Sequence, residues 1–147
     1  MAATPKRGER ITGAVVSGLV IGFFLLDAGM KLPPIQPVID TMRQLGWPAD
    51  AGTARLLAAL ILVPTALYAI PATAPLGALL LTGYLGGAVA THVRIGSPLF
   101  SHILFGVYLG ALMWAGLWLR DPRIRALLPI IRKKLPVRAE PLDRALL

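Results

Sequence analysis

The chain has 147 residues, of which 56% are hydrophobic and only 15% are charged, and its mean hydropathy is +0.69. Soluble domains average about 25% charged residues, so these values exclude an ordinary soluble domain and indicate a membrane protein. The chain contains no cysteine, which excludes disulfides, thiol chemistry and cysteine-ligated iron–sulfur clusters.

The first long uncharged stretch follows a basic flank. No charged residue occurs between Arg10 and Asp27, and the apolar pattern continues to Met30. A helix over 11–30 is about 30 Å long at roughly 1.5 Å per residue, which matches the hydrocarbon core of a bilayer. A basic flank before an apolar stretch also describes a signal peptide, but this stretch does not end in the small residues of a cleavage site. We therefore expect an uncleaved first span, preceded by a cytoplasmic N-terminus over 1–10.

A second uncharged stretch, 56–93, is too long for one crossing and is long enough for two. Pro71 and Pro75 lie near its middle, and proline disfavours helix in the residue before it. The sequence therefore predicts spans two and three over 52–70 and 76–92, joined by a tight turn.

The fourth span is predicted over 99–119, after a break at Gly96, Ser97 and Pro98. With four spans, the N-terminus, the turn between spans two and three and the C-terminal tail share one side, which carries 11 of the 15 Lys and Arg residues. The positive-inside rule then places both termini in the cytoplasm. The predicted fold is an all-α bundle of four transmembrane helices over 11–121.

Two segments outside the spans have amphipathic patterns. Residues 35–45 are apolar at helical spacing, which predicts a short helix at the outer interface with Trp47 as its anchor. Residues 122–147 form a basic amphipathic tail, opened by Asp121 as a helix cap. No aromatic residue interleaves the basic residues of the tail, so the lipid bilayer is the expected partner and nucleic acid is not.

Small residues at helical spacing predict where the spans pack, since lipid offers no hydrophobic drive for association and close approach needs small side chains. The predicted packing residues are Gly18, Gly22, Gly83, Gly86, Gly87, Gly106 and Gly110. The alternative is that these glycines reflect only the general abundance of glycine in membrane helices.

Ionisable residues at membrane depth are costly, so each is a candidate for function. The candidate polar pocket at the outer ends of the spans consists of Asp27, Lys31, Tyr84, Thr91, His92, Arg94 and His102. These residues can share a pocket if spans one and three are neighbours. An aspartate with a histidine and an arginine suits binding of a quinone or another polar-headed lipophile. The alternative is that Asp27 pairs with Lys31 or Arg94 only to neutralise charge.

No other cofactor is suggested by the sequence. Two histidines alone do not support haem ligation, so no metal site is expected. No phosphate loop, paired carboxylate or nucleophile with a base is visible, so no catalytic residue is assigned and enzymatic activity is left open.

Five parts of the sequence carry a recognisable pattern: residues 27–31, residues 45–46, residues 67–74, the Leu-Gly-Gly-Ala and Thr-His-x-Arg motifs within 76–94, and residues 114–121. Together they resemble the DoxX-like family of small bacterial four-span membrane proteins, which implies a location in the bacterial inner membrane. The resemblance implies a four-span fold and an association with redox enzymes, because the wider group includes subunits linked to quinone-dependent oxidation and to an oxidative-stress complex. The positions that match the family pattern are Asp27, Lys31, Tyr84, Gly86, Gly87, His92 and Arg94, and the resemblance assigns no catalytic role to them.

Three functions follow as hypotheses. The first is an accessory subunit that helps a redox protein partner to reach quinone in the membrane. The second is a small-molecule transporter or lipophile-binding protein that uses the same polar residues. The third is a non-catalytic scaffold whose polar residues only stabilise helix ends. A homo-oligomer is compatible with each of them.

Overall fold

A computed structural model describes residues 5–128, and this part of the chain is helical. The helices are α1 (Arg7–Lys31), α2 (Gln36–Gln44), α3 (Ala51–Ala69), α4 (Ala74–Arg94), α5 (Leu104–Arg120), which a π-helical turn (Leu99–Ile103) precedes, and α6 (Pro122–Leu127). Four segments are long and apolar enough to cross a membrane, namely α1, α3, α4 and the 22 residues of Leu99–Arg120. The predicted all-α bundle of four spans is therefore confirmed.

The helix ends follow local rules. α1 begins at Arg7, earlier than predicted, and the Glu9 carboxylate accepts a hydrogen bond from the Lys6 backbone N–H at 2.9 Å. α4 begins at Ala74 because Pro75 is tolerated in the first turn of a helix. A backbone N–H in that turn has no acceptor within the helix, so proline, which lacks this N–H, loses no hydrogen bond there. The predicted interfacial helix is present as α2, with Pro37 in its first turn.

The predicted tail falls mostly outside the described residues. Only α6 and Leu128 of the range 122–147 are described. α6 begins as expected, because the Asp121 carboxylate accepts a hydrogen bond from the Arg123 backbone N–H at 2.9 Å and caps the helix.

The four spans form a ring in which α1 and α4 are diagonal. α1 packs against α3 and α5, and α4 packs against the same two helices. The condition named for a shared pocket, that spans one and three are neighbours, is therefore not met, because α3 and α5 lie between them. The centre of the bundle is closed by large apolar side chains that are fully buried, including Phe24, Ile61, Leu81 and Met113.

The closest helix contacts are made by glycines that the spacing rule did not select. A Cβ added at Gly13 would lie 2.8 Å from the Gly116 carbonyl oxygen, and one at Gly77 would lie 2.7 Å from the Pro64 carbonyl oxygen. Among the predicted packing residues, Gly106 lies against Val89, at 2.9 Å from an added Cβ. Gly110 makes only an ordinary contact, at 3.5 Å from Leu85.

Five of the predicted packing glycines make no such contact. Among residues 5–128, no atom of another part of the chain lies within 4 Å of a Cβ added at Gly18, Gly22, Gly83, Gly86 or Gly87. The predicted packing faces are therefore wrong at these positions within one copy of the chain. The reason is that the buried face of α1 is the stripe with Gly13, Ser17, Val20, Phe24 and Ala28, which is rotated away from the predicted glycine pair.

Candidate functional site

A cavity of about 590 Å³ opens at the end of the bundle that carries α2. We call it the α2 cavity, and we call the two ends of the bundle the α2 end and the α6 end. The cavity lies between the diagonal helices α1 and α4, with walls from α3 and α5. Its polar lining residues are Asp27, Lys31, Thr41, Tyr84, Thr91, His92 and His102. Cavities of this size and mixed lining are typical of small-molecule sites.

Six of the seven predicted pocket residues thus line one cavity, although spans one and three are not neighbours. Arg94 is the exception, since it is exposed and does not line the cavity. Its guanidinium donates a hydrogen bond to the Leu45 carbonyl oxygen instead. Diagonal helices can share a cavity because they face each other across the bundle axis where side chains do not fill the space.

The apolar walls of the cavity come mainly from aromatic and aliphatic side chains. Phe23 lies between Phe24 and Phe105, with ring centroids 5.9 and 5.4 Å away. Gly83 and Gly87 of α4 also line the cavity, and an added Cβ at either position meets no atom of the described residues within 4 Å. These two glycines therefore leave room in the cavity and do not bring two helices together.

Helix α2 (Gln36–Gln44) covers the cavity, and we call it the cover. Val38, Met42 and Leu45 belong to the lining, and Met42 is only 3% exposed. Each end of the cover is attached to the bundle by an arginine. The Arg94 guanidinium holds the Leu45 carbonyl after α2, and Arg55 Nε donates to the Leu32 carbonyl oxygen at 3.3 Å before it.

The turn that follows α2 depends on glycine. Gly46 has a φ of 72°, in the left-handed region that a residue with a side chain rarely adopts. A Cβ at this position would lie 3.1 Å from the Arg94 guanidinium. The glycine therefore serves both the backbone turn and the close approach of the arginine.

Asp27 and Lys31 form an ion pair one helical turn apart on α1. Their side chains are 25% and 15% exposed, respectively, so the pair is largely withdrawn from solvent at the cavity wall. Of the two partners predicted for Asp27, Lys31 and Arg94, the structure shows Lys31. A paired ammonium and carboxylate at this depth still offer a donor and an acceptor to a polar ligand.

His92 and His102 lie side by side, with ring centroids 5.5 Å apart. Nδ1 of His92 is 2.9 Å from the Ser97 hydroxyl, and Nδ1 of His102 is 2.8 Å from the Ser101 hydroxyl. Within residues 5–128, Nε2 of each ring has no hydrogen-bond partner, so each ring keeps one nitrogen for a ligand. The described residues hold no group of three His, Asp or Glu side chains suited to a metal ion.

The π-helical turn Leu99–Ile103 contains His102. A π-helical turn is wider than an α-helical one and is common at functional sites. The break before α5 therefore changes the direction in which His102 leaves the chain. Periodicity in the sequence did not indicate this turn.

The residues missed by the sequence reasoning are those of the cover and of the glycine-lined wall. Thr41, Trp47 and the apolar face of α2 line the cavity, whereas the sequence indicated only an interfacial helix. The apolar stripe of α2 was the signal that could have indicated this role, because the apolar face of a short helix has to be buried against another apolar surface.

The fold and its cavity define a small multi-pass helical membrane protein with a covered site at one end. The model of the DoxX-like family matches residues 15–116, and the chain belongs to this family. The matched range includes all seven predicted pocket residues. No curated protein and no solved structure matches the chain.

Proposed function

We propose that this protein binds a quinone or a similar polar-headed lipophile in the α2 cavity, as an accessory subunit of a membrane oxidoreductase in a bacterial inner membrane. The observation that carries the proposal is the cavity itself, about 590 Å³ with apolar walls and polar groups converging from α1, α4 and the turn before α5. Membership of the DoxX-like family supports the membrane setting.

The polar lining suits a head group with two carbonyl oxygens. Lys31 and Tyr84 supply hydrogen-bond donors, and Nε2 of each histidine supplies a donor or an acceptor according to the tautomer. Phe23 and Phe105 supply flat apolar surface. A quinone, when bound, supplies two-electron carrier chemistry that amino-acid side chains lack. The role of this chain is then to hold and orient the head group, and we assign the supply of electrons to a partner enzyme.

The test compares two neighbouring glycines of α4. Gly87 lines the cavity and Gly86 does not, and neither would bring an added Cβ within 4 Å of another atom. Gly87→Leu fills the cavity, so we expect the affinity of the full-length chain in detergent for decylubiquinone to fall at least about tenfold, which is roughly 1.4 kcal/mol. Gly86→Leu is the matched control and leaves the affinity within about twofold.

Binding is measured by quenching of tryptophan fluorescence, since Trp47 lines the cavity. Equal affinity in the two leucine variants, or no binding by the unchanged chain, contradicts the binding proposal. The subunit proposal has its own test, in which the native complex is extracted gently and analysed by mass spectrometry for proteins and small molecules. Recovery of the chain without any redox protein contradicts an accessory role.

Transport is separated from binding by a flux measurement in proteoliposomes. The middle of the bundle is closed by Phe24, Ile61 and Met113, which are buried, so a transport cycle would require these side chains to move apart. Flux that Asp27→Asn abolishes would replace the binding proposal by transport. Loss of stability without loss of binding in His92→Ala would assign that residue a scaffold role.

A further inference from the structure

Four arginines from distant parts of the sequence meet at the α6 end. Arg7 and Arg10 lie on the first turns of α1, Arg120 ends α5, and Arg123 lies in α6. All four line one pocket of about 930 Å³, which we call the α6 pocket. Among residues 5–128, Asp121 is the one carboxylate in its lining, so this part of the chain gives the pocket an excess of positive charge.

The Asp121 carboxylate already has partners within the protein. Asp121 accepts from Arg123 Nη2 at 2.7 Å and also caps α6. Arg125, which lies nearby but does not line the pocket, is paired with Glu9 at 3.0 Å. In the range 5–128, neither Arg7 nor Arg10 forms an ion pair, so no carboxylate of this range neutralises these two guanidinium groups.

Arg120 is held in place by other contacts and forms no ion pair with the residues that the structure describes. Its Nη2 donates to the Tyr68 carbonyl oxygen at 3.0 Å, and its guanidinium carbon lies 5.0 Å from the centroid of the Tyr68 ring. A fixed guanidinium loses little side-chain freedom when it binds an anion, and its planar donors match phosphate oxygens.

The rest of the pocket is apolar and lies where the spans begin and end. Ile11, Ala14 and Leu117 belong to the lining. Ile11 and Val15 are 56% and 57% exposed on the outer surface of α1, directly beyond the arginines. An occupant that combines a phosphate with hydrocarbon chains would match both parts of this surface, whereas a soluble anion would leave the apolar part uncovered.

We propose that the α6 pocket is a specific site for the phosphate group of an anionic phospholipid, whose acyl chains lie along the exposed apolar face of α1. The four arginines bind the phosphate, and Asp121 fixes Arg123 at the rim. This site is separate from the α2 cavity and does not depend on the function proposed for that cavity.

The experiment is a titration of the full-length chain in an uncharged detergent, followed by native mass spectrometry. The probes are phosphatidylglycerol, phosphatidylcholine with the same acyl chains, and soluble glycerol phosphate. We expect the unchanged chain to bind phosphatidylglycerol at least about tenfold more tightly than phosphatidylcholine, as several basic residues at about 1 kcal/mol each predict. Glycerol phosphate is expected to bind far more weakly than either lipid.

The variant is the double substitution Arg7→Gln and Arg10→Gln. Both side chains are exposed and unpaired within the described range, so their loss leaves the fold intact. At about 1 kcal/mol for each arginine, phosphatidylglycerol binding is expected to weaken about 25-fold. The control is Arg43→Gln with Arg55→Gln, which removes the same formal charge at the α2 end and is expected to leave binding within about twofold.

Three results would overturn the proposal. Equal binding of the two lipids would exclude recognition of the anionic head group. Equal losses in the double variant and the control would mean that total charge, and not this pocket, attracts the lipid. Tight binding of glycerol phosphate would assign the pocket to a soluble anion.

Discussion

The two ends of the bundle use glycine in opposite ways. At the α6 end, Gly13, Gly77 and Gly116 let one helix backbone touch another. At the α2 end, Gly83 and Gly87 face open space within the cavity. Glycine therefore allows close backbone contact at the α6 end and leaves open space at these two positions of the α2 end, where Gly106 packs against Val89 instead. The difference shows that a glycine pattern indicates missing side-chain volume and does not say whether a helix or a ligand uses that volume.

The ends also differ in how they treat charge. At the α2 end, Asp27 and Lys31 neutralise each other on one helix at the cavity wall. At the α6 end, the described part of the pocket lining has four arginines and one aspartate, which pairs with Arg123. The α2 cavity is thus suited to a neutral ligand with a polar head, and the α6 pocket to an anion.

The largest expected effect tests the glycine contrast. In Gly77→Ala the new Cβ would overlap the backbone of Tyr68 and lie 2.7 Å from the Pro64 carbonyl oxygen. Backbone cannot move aside as a flexible side chain can, so we expect a loss of about 3 kcal/mol in the free energy of unfolding. Thermal or denaturant unfolding in detergent measures it.

The control for this prediction is Gly83→Ala at the α2 end. Its Cβ meets no atom within 4 Å, and alanine favours helix over glycine by up to about 1 kcal/mol. The control is therefore expected to be neutral or stabilising. Similar losses of unfolding free energy in Gly77→Ala and Gly83→Ala would contradict the distinction between a closely packed end and an open end of the bundle.

A smaller effect concerns the aspartate at the α6 end. Hydrogen bonds from Arg123, with help from its positive charge, lower the pKa of Asp121 below the usual 3.8. Asp121→Ala removes the cap of α6 and the ion pair, and we expect a loss of about 1.5 kcal/mol at neutral pH.

The pH dependence of this loss has a definite sign. A carboxylate with a lowered pKa in the folded state stabilises the protein above its unfolded pKa, and this stabilisation disappears as the pH falls through the folded value. The difference in unfolding free energy between the unchanged chain and Asp121→Ala should therefore shrink below about pH 3.8. A difference that stays constant from pH 6 to pH 3 would contradict an ionic role for Asp121.

The smallest effect concerns the cover of the α2 cavity. Arg94→Gln removes the hydrogen bond to the Leu45 carbonyl, and because Arg94 is exposed we expect a cost of only about 1 kcal/mol. The cost should appear as faster exchange of the backbone amide hydrogens of α2, while the exchange rates in the rest of the bundle stay unchanged. Arg43→Gln serves as the control, since Arg43 pairs with Asp40 on the exposed side of α2. Equal exchange in the two variants would mean that Arg94 does not hold the cover.

The spans and most of the pocket residues were predictable because their signals are local. Uncharged stretches, prolines and glycine breaks determine where helices begin and end, and ionisable residues in apolar stretches are rare enough to be noticed one by one. The role of Arg94 was not predictable, because its partner Leu45 is 49 residues away and offers only a backbone carbonyl. The arginines of the α6 pocket were assigned as a group to one side of the membrane, without any sign that four of them meet.

The amino-acid sequence by itself determined the family, the number of spans and the excess of basic residues at the α6 end, since these depend on composition and on spacing along one helix. The tertiary structure alone decided that α1 and α4 are diagonal, that α2 covers a cavity, and which glycines face a helix and which face space. Those properties depend on how each helix is rotated about its own axis. That rotation is set by the packing of large buried side chains such as Phe24 and Met113 against each other. These side chains come from different helices, so the sequence of one segment does not determine their packing.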